Sequence, residues 1–195
     1  MYDYDVIFIG AGHASWHAAM ILLQAGKKMA FVERDVVGGT CTNYGCNAKI
    51  LLDTPFNYLD GLKRYQGIGI SELPKPDWTS LMNYKKKVIS PLNKIMEGMF
   101  ENAHMPVIHG NGKLVDAHTV DVDGRKITAE NIVIGTGEHA MKQNIPGKEY
   151  IHDSRDFLDL DSFPARIAFI GGGIIAMEFA SIAVQMGAQT TVIEY

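Results

Sequence analysis

Val6-Ile7-Phe8-Ile9-Gly10-Ala11-Gly12-His13-Ala14-Ser15 is the stretch that decides how this chain folds. Four consecutive apolar residues describe a short parallel strand buried on both faces. Glycines then break the strand, and apolar residues at helical spacing run on to about Gln24, with Gly26 suited to the residue that ends a helix. Met29-Ala30-Phe31-Val32 reads as a second strand and ends on Glu33. This is a βαβ unit carrying a dinucleotide fingerprint, G-x-G-x-x-G, with Ser15 at the third glycine position. Gly10 permits the tight turn, and Gly12 lets the backbone approach a diphosphate on the helix N-terminus. Glu33 can accept hydrogen bonds from ribose hydroxyls.

The same design occurs twice. A shift of 161 residues carries Gly10, Gly12, Gly26 and Glu33 onto Gly171, Gly173, Gly187 and Glu194, and Phe8-Ile9 onto Phe169-Ile170. A single fingerprint is weak evidence, because glycine turns commonly join strands to helices. Two matched copies predict two nucleotide sites. The second has Ala176 in the third position.

The only two cysteines lie just after the first copy, in Gly38-Gly39-Thr40-Cys41-Thr42-Asn43-Tyr44-Gly45-Cys46-Asn47-Ala48-Lys49. Four residues separate them, so the thiols can close a small ring and reopen it. Half of a zinc site is a poor alternative, because no second cysteine pair exists and the seven histidines are scattered. No metal site is expected. A net charge of −4 gives no basic surface for nucleic acid or anionic membranes, and no apolar run is long enough to span a bilayer. Met1-Tyr2-Asp3-Tyr4-Asp5 lacks a basic leader region, so a cytoplasmic protein is the expectation, where a close cysteine pair is catalytic more often than structural.

Between the two copies, helical spacing runs from Lys49 to about Leu62, interrupted by Pro55. Pro74 and Pro76 mark a loop, and Asp77 is the predicted N-cap of a long helix towards Ala103 that Pro91 kinks or interrupts. Short strands follow from Val107 to Thr128, with Asp123-Gly124 as a hairpin turn. Ile132-Val133-Ile134 is a buried strand ending in Gly135-Thr136-Gly137, where the backbone can come close to a ligand. The segment from Pro146-Gly147 to Pro164 reads as a crossover.

Together these residues resemble the pyridine nucleotide-disulfide oxidoreductases, the family of dihydrolipoamide dehydrogenase, glutathione reductase and mercuric reductase. The resemblance covers the whole chain in order, and Gly-Gly-Thr-Cys-x-Asn-x-Gly-Cys is its most specific part. It implies an α/β architecture. A Rossmann-like, doubly wound FAD-binding domain with a β-meander would span 1–147, and a second Rossmann-like, NAD(P)-binding domain would begin at 148–195. FAD would be held by Gly10, Gly12, Ser15, Glu33, Gly39, Thr40, Thr136 and Gly137, and NAD or NADP by Gly171, Gly173, Ala176 and Glu194. Cys46 would be the thiol against the flavin and Cys41 the one that meets substrate. Lys49 and Glu178 match the lysine–glutamate pair that the family places near the flavin.

The expected activity is electron transfer from NAD(P)H through FAD and the Cys41–Cys46 disulfide to a small-molecule or lipoyl-type disulfide. Glu194 favours NAD, since a carboxylate repels a 2′-phosphate, whereas Ala176 points towards NADP. Two positions depart from the family pattern: Ala48 stands for a proline and Gly135 for an alanine. The dimerisation domain, which carries the family's His–Glu acid–base pair and makes the homodimer, is expected to be absent. The alternatives are a glutathione reductase-like enzyme using NADPH and a nucleotide-binding module without turnover.

Overall fold

The computed structural model describes residues 1–194. In chain order it contains β1 (Tyr4–Ile9), α1 (His13–Gln24), β2 (Met29–Glu33), α2 (Gly39–Asn43), α3 (Cys46–Lys63), α4 (Trp78–Ile89) and α5 (Leu92–Asn102). It continues with β3 (Val107–His109), β4 (Gly112–Leu114), β5 (Thr119–Val122), β6 (Arg125–Ile134), a 3-10 turn at Lys148–Tyr150, α6 (Ser154–Leu158), β7 (Arg166–Ile170), α7 (Ile174–Gln185) and β8 (Gln189–Ile193). The residues group into two compact units, 1–46 with 89–141, and 47–88 with 142 onward.

In the first unit six strands lie in the order β3-β2-β1-β6-β5-β4. β3, β2, β1 and the end of β6 are parallel, while β6, β5 and β4 form an antiparallel meander. The unbroken apolar run of β1 has a direct cause. Val6 and Phe8 point into a layer formed with Phe31, Phe100 and Met105, against which Trp16 and Leu22 pack. Ile7 and Ile9 point the other way, into Val32, Val120, Val122, Ile127 and Ala129. Helices cover one face and the meander folds over the other, so β1 presents no face to water. The meander turns at Asp123-Gly124, whose φ values of 49° and 94° are those of a two-residue hairpin turn.

The second unit is built round aromatic contacts. Phe157 stacks on Phe179 at 4.1 Å, and Trp78 meets Phe163 edge-on at 4.7 Å. Trp78 Nε1 also donates to the Leu160 carbonyl at 2.7 Å. Asp77 caps α4, accepting from Thr79 N at 3.1 Å and from Ser80 Oγ at 2.6 Å. Pro91 ends the predicted long helix and starts another, giving α4 and α5, while Pro55 is accommodated inside α3. The stretch read as a crossover carries α6, held by a capping box between Asp153 and Asp156.

The two fingerprint copies share their element bounds, glycine conformations and one hydrogen bond. Adding 161 to the bounds of α1 gives those of α7. Gly10 and Gly171 have φ values of 103° and 96°, and Gly26 and Gly187 have 69° and 85°. Glu33 Oε2 accepts from Ala11 N, and Glu194 Oε2 accepts from Gly172 N, at the equivalent position.

Candidate active site

Cys41 sits in α2 and Cys46 is the first residue of α3; the two are joined by a disulfide, with Cα atoms 4.7 Å apart. The spacing works because α2 stops after five residues. Tyr44 N closes its last turn on Thr40 O, and Gly45 lets the chain bend back closely enough that an added Cβ would lie 3.1 Å from the Thr40 carbonyl oxygen. Asn43 braces this turn, its Nδ2 donating to Val37 O at 2.9 Å and to Gly39 O at 3.0 Å. The signal for this brace in the sequence is the Cys-x-Asn spacing.

The redox turn is seated directly on the first fingerprint. Gly38 N donates to Ala11 O at 3.0 Å, and a Cβ on Gly39 would lie 2.8 Å from Gly12 Cα. Only glycine on the cysteine side allows this approach. Gly12 serves as N-cap of α1 in extended conformation, leaving the first-turn amides of a 12-residue helix at the open end of β1. Thr40 follows Gly39 on the exposed side of α2, whereas Thr42 is buried.

Glu33 lies at the end of β2, 8 % exposed, and both its oxygens are used. Oε2 accepts from Ala11 N and Oε1 from Asp35 N, each at 2.8 Å. Each oxygen keeps a second lone pair for a ribose hydroxyl. Gly135, Thr136 and Gly137 follow β6, the parallel neighbour of β1, and Gly135 N donates to Ile9 O at 2.8 Å. The structure thus brings Gly10, Gly12, Ser15, Glu33, Gly39 and Gly135 to one end of the parallel strands, where α/β sheets bind ligands.

The half-buried His13, at the start of α1, reaches the redox turn. Its Nε2 is 3.3 Å from Thr42 Oγ1, and Thr42 Oγ1 also lies 3.9 Å from Met96 Sδ. Burial, with a smaller contribution from His17 stacked at 5.1 Å, holds the His13 imidazole below the usual histidine range. It is therefore a neutral neighbour of the cysteine turn near pH 7.

In the second unit Lys49, one turn into α3 from Cys46, donates to Glu178 Oε1 on α7 at 2.8 Å. Glu178 faces out of the first turns of the second fingerprint helix, whose N-cap is Gly173; Ala176 is on the same helix. Among the described residues no group of three metal-ligating side chains occurs, and no helix is long and apolar enough to cross a membrane.

The family model for pyridine nucleotide-disulphide oxidoreductases matches residues 4–195. The chain belongs to this family. Its members bind FAD and NAD(P)H and are oxidoreductases. The chain is 39% identical over 193 residues to a glutathione reductase, chloroplastic/mitochondrial, of Pisum sativum, covering 93% of the chain and 35% of that enzyme. It is 30% identical over 200 residues to a dihydrolipoyl dehydrogenase of Acholeplasma laidlawii, covering 98% of the chain and 60% of that enzyme. Among solved structures it superposes on the HOCl-induced flavoprotein disulfide reductase RclA from Escherichia coli with a TM-score of 0.84. That match is 27% identical and covers 98% of this chain and 42% of the other. The chain thus spans about a third to three fifths of the length of these relatives.

Proposed function

We propose that this chain is the electron-relay portion of an FAD-dependent, NAD(P)H-linked disulfide oxidoreductase, with Cys41 and Cys46 as its exchangeable pair. The observation that carries this reading is the seating of the Cys41–Cys46 turn on the first fingerprint through the Gly12–Gly39 contact. Residues 1–147 are assigned to the FAD-binding domain and 148–195 to the start of the NAD(P)-binding domain. The residues present fit a dinucleotide: a glycine turn at the head of α1, backbone in close apposition beside it, and an acidic side chain at the end of the next strand.

FAD would be held by Gly10, Gly12, Ser15, Glu33, Gly39, Thr40, Thr136 and Gly137, and when bound it supplies two-electron transfer between NAD(P)H and the cysteine pair. Gly171, Gly173, Ala176 and Glu194 would hold the nicotinamide nucleotide. The carboxylate of Glu194 supports NAD over NADP, because a 2′-phosphate would meet a like charge.

Once reduced, the Cys41 thiolate attacks a substrate disulfide and forms a mixed disulfide, and the displaced sulfur takes up a proton. Cys46 then attacks Cys41 Sγ, re-forms the Cys41–Cys46 bond and releases the second substrate thiol, so two electrons have left the protein. Cys46 begins an 18-residue helix, where the aligned peptide dipoles stabilise a thiolate. Lys49 and its partner Glu178 place a cation one turn away on α3.

The substrate class we assign is a small or lipoyl-type disulfide. The identity to the pea enzyme supports a glutathione-type disulfide as the second reading. A homodimer is the assembly expected of full-length members of the family, and the cytoplasm is the compartment we assign. Reductive titration of the flavin-loaded protein tests the relay. A long-wavelength thiolate–flavin absorbance band is expected and should vanish in Cys46→Ser but persist in Cys41→Ser. Identical spectra in all three proteins would refute it. Rates of exchange of the reduced protein with lipoamide and with glutathione disulfide separate the two substrate readings.

A further inference from the structure

The residue that replaces the third fingerprint glycine and the glycine that ends the next parallel strand meet in space. Ser15 stands in the third fingerprint position and is 0 % exposed. Its Oγ has no hydrogen-bond partner among the described residues. Gly135 closes β6, and a Cβ built on it would collide with that same Ser15 Oγ, while staying 3.6 Å from Ser15 Cβ. The backbone of Gly135 is not in the left-handed region, so its own conformation admits any side chain. What excludes a side chain there is the serine hydroxyl alone. Gly10 completes the contact: with φ 103° it lies against the Gly135 carbonyl, where an added Cβ would also collide.

The third glycine of a dinucleotide fingerprint exists to let the helix pack closely on its strand. Here the helix side of that contact carries a hydroxymethyl group. We propose that Gly135 supplies the missing space from the strand side, making Ser15 and Gly135 a size-matched positioning pair for the first nucleotide site. The consequence reaches past packing. Thr136 and Gly137 continue directly from Gly135, and the first turn of α1 contains Ser15. One added methyl group at position 135 therefore forces the buried Ser15 hydroxyl from its place, at the point where the first turn of α1 meets the segment leading to Thr136. Close-packed interiors do not absorb such an insertion without strain.

The part of this inference that concerns FAD rests on the function proposed above. The test is a four-protein cycle on the full 195-residue chain: the parent, Gly135→Ala, Ser15→Ala, and the double variant. Melting midpoints are read without flavin, and FAD affinity is read from flavin fluorescence quenching. Gly135→Ala should lower the midpoint by at least about 3 °C and weaken FAD binding about tenfold or more. Ser15→Ala alone should leave the midpoint at or above the parent's, since it removes an unpaired buried hydroxyl from a helix. The double variant should recover most of the melting loss, because the only atom in the way is gone. Should Gly135→Ala not accumulate in soluble form, a soluble double variant melting near the parent supports the pair, and an insoluble one overturns it. A Gly135→Ala variant indistinguishable from the parent, or a double variant no better than Gly135→Ala, also overturns it. A parent that binds no FAD would remove the cofactor reading, while the melting cycle still decides the pair.

Discussion

Replacing Glu33 by glutamine tests the acidic end of the first βαβ unit against an internal control. Glu33 Oε2 accepts from Ala11 N and Oε1 from Asp35 N, each at 2.8 Å, at a site 8 % exposed. A glutamine offers one oxygen and one NH2 group, so one of the two amide N–H groups must face a donor. The lost charge-assisted bond and the unpaired buried N–H together cost about 1.5–3 kcal/mol. At about 2–4 °C per kcal/mol for a chain of this size, the melting midpoint should fall by about 3–12 °C. Glu194 is the same residue in the second copy, but among the described residues only Gly172 N donates to it, and it is exposed. A glutamine there can keep that bond with its own oxygen, and surface changes of this kind stay within about 0.5 kcal/mol. Far-UV circular dichroism melts of the parent, Glu33→Gln and Glu194→Gln at neutral pH give the comparison. Equal midpoints for the two variants would refute the claim that a two-donor site, not the charge alone, sets the role of Glu33.

Other expectations concern ion pairs and protonation. Lys85 is 4 % exposed and donates to Asp159 at 2.6 Å, so Asp159→Asn should cost about 2–3 kcal/mol by stranding a buried ammonium, more than a surface carboxylate normally does; a loss under about 0.5 kcal/mol in urea unfolding would contradict this. Lys49 and Glu178, with side chains 22% and 38% exposed, should show a coupling of only about 0.5–1 kcal/mol in a Lys49→Met, Glu178→Gln double-mutant cycle. A coupling near zero would mean the pair is not maintained in solution. His13 titrates below its unfolded value of 6.5, so the folded state binds fewer protons in the window between the two values. Its stabilising contribution is complete above 6.5 and is lost as pH falls through the folded value. The parent should therefore lose more stability than His13→Gln between about pH 7.5 and about pH 5; equal losses would show that His13 is not what titrates.

Exposed apolar side chains of the second copy, such as Ile174 at 80 % and Val184 at 60 %, give a further expectation. An environment-sensitive hydrophobic dye should bind the folded chain, and Ile174→Lys with Val184→Lys should reduce that binding.

Much of the architecture follows from local rules that operate within a short window of sequence. The two glycine turns, the helices that start from them and the acidic ends of β2 and β8 recur at one offset because each βαβ unit carries its own instructions. Proline placed the break between α4 and α5, and the five-residue α2 needs only the Cys-x-Asn spacing and a glycine to turn the second cysteine back on the first. Resemblance supplied the pairing of Lys49 with Glu178, which no periodicity reveals across a separation of 129 positions in the chain. Tertiary structure alone decided two things: that the His13 ring meets Thr42, and that Ser15 and Gly135 share one space. Each depends on distances between segments far apart in sequence. A residue's size and hydrogen-bonding capacity are written in the sequence, but whether a hydroxyl finds a partner or a glycine is set by the packing of α1 between the ends of β1 and β6.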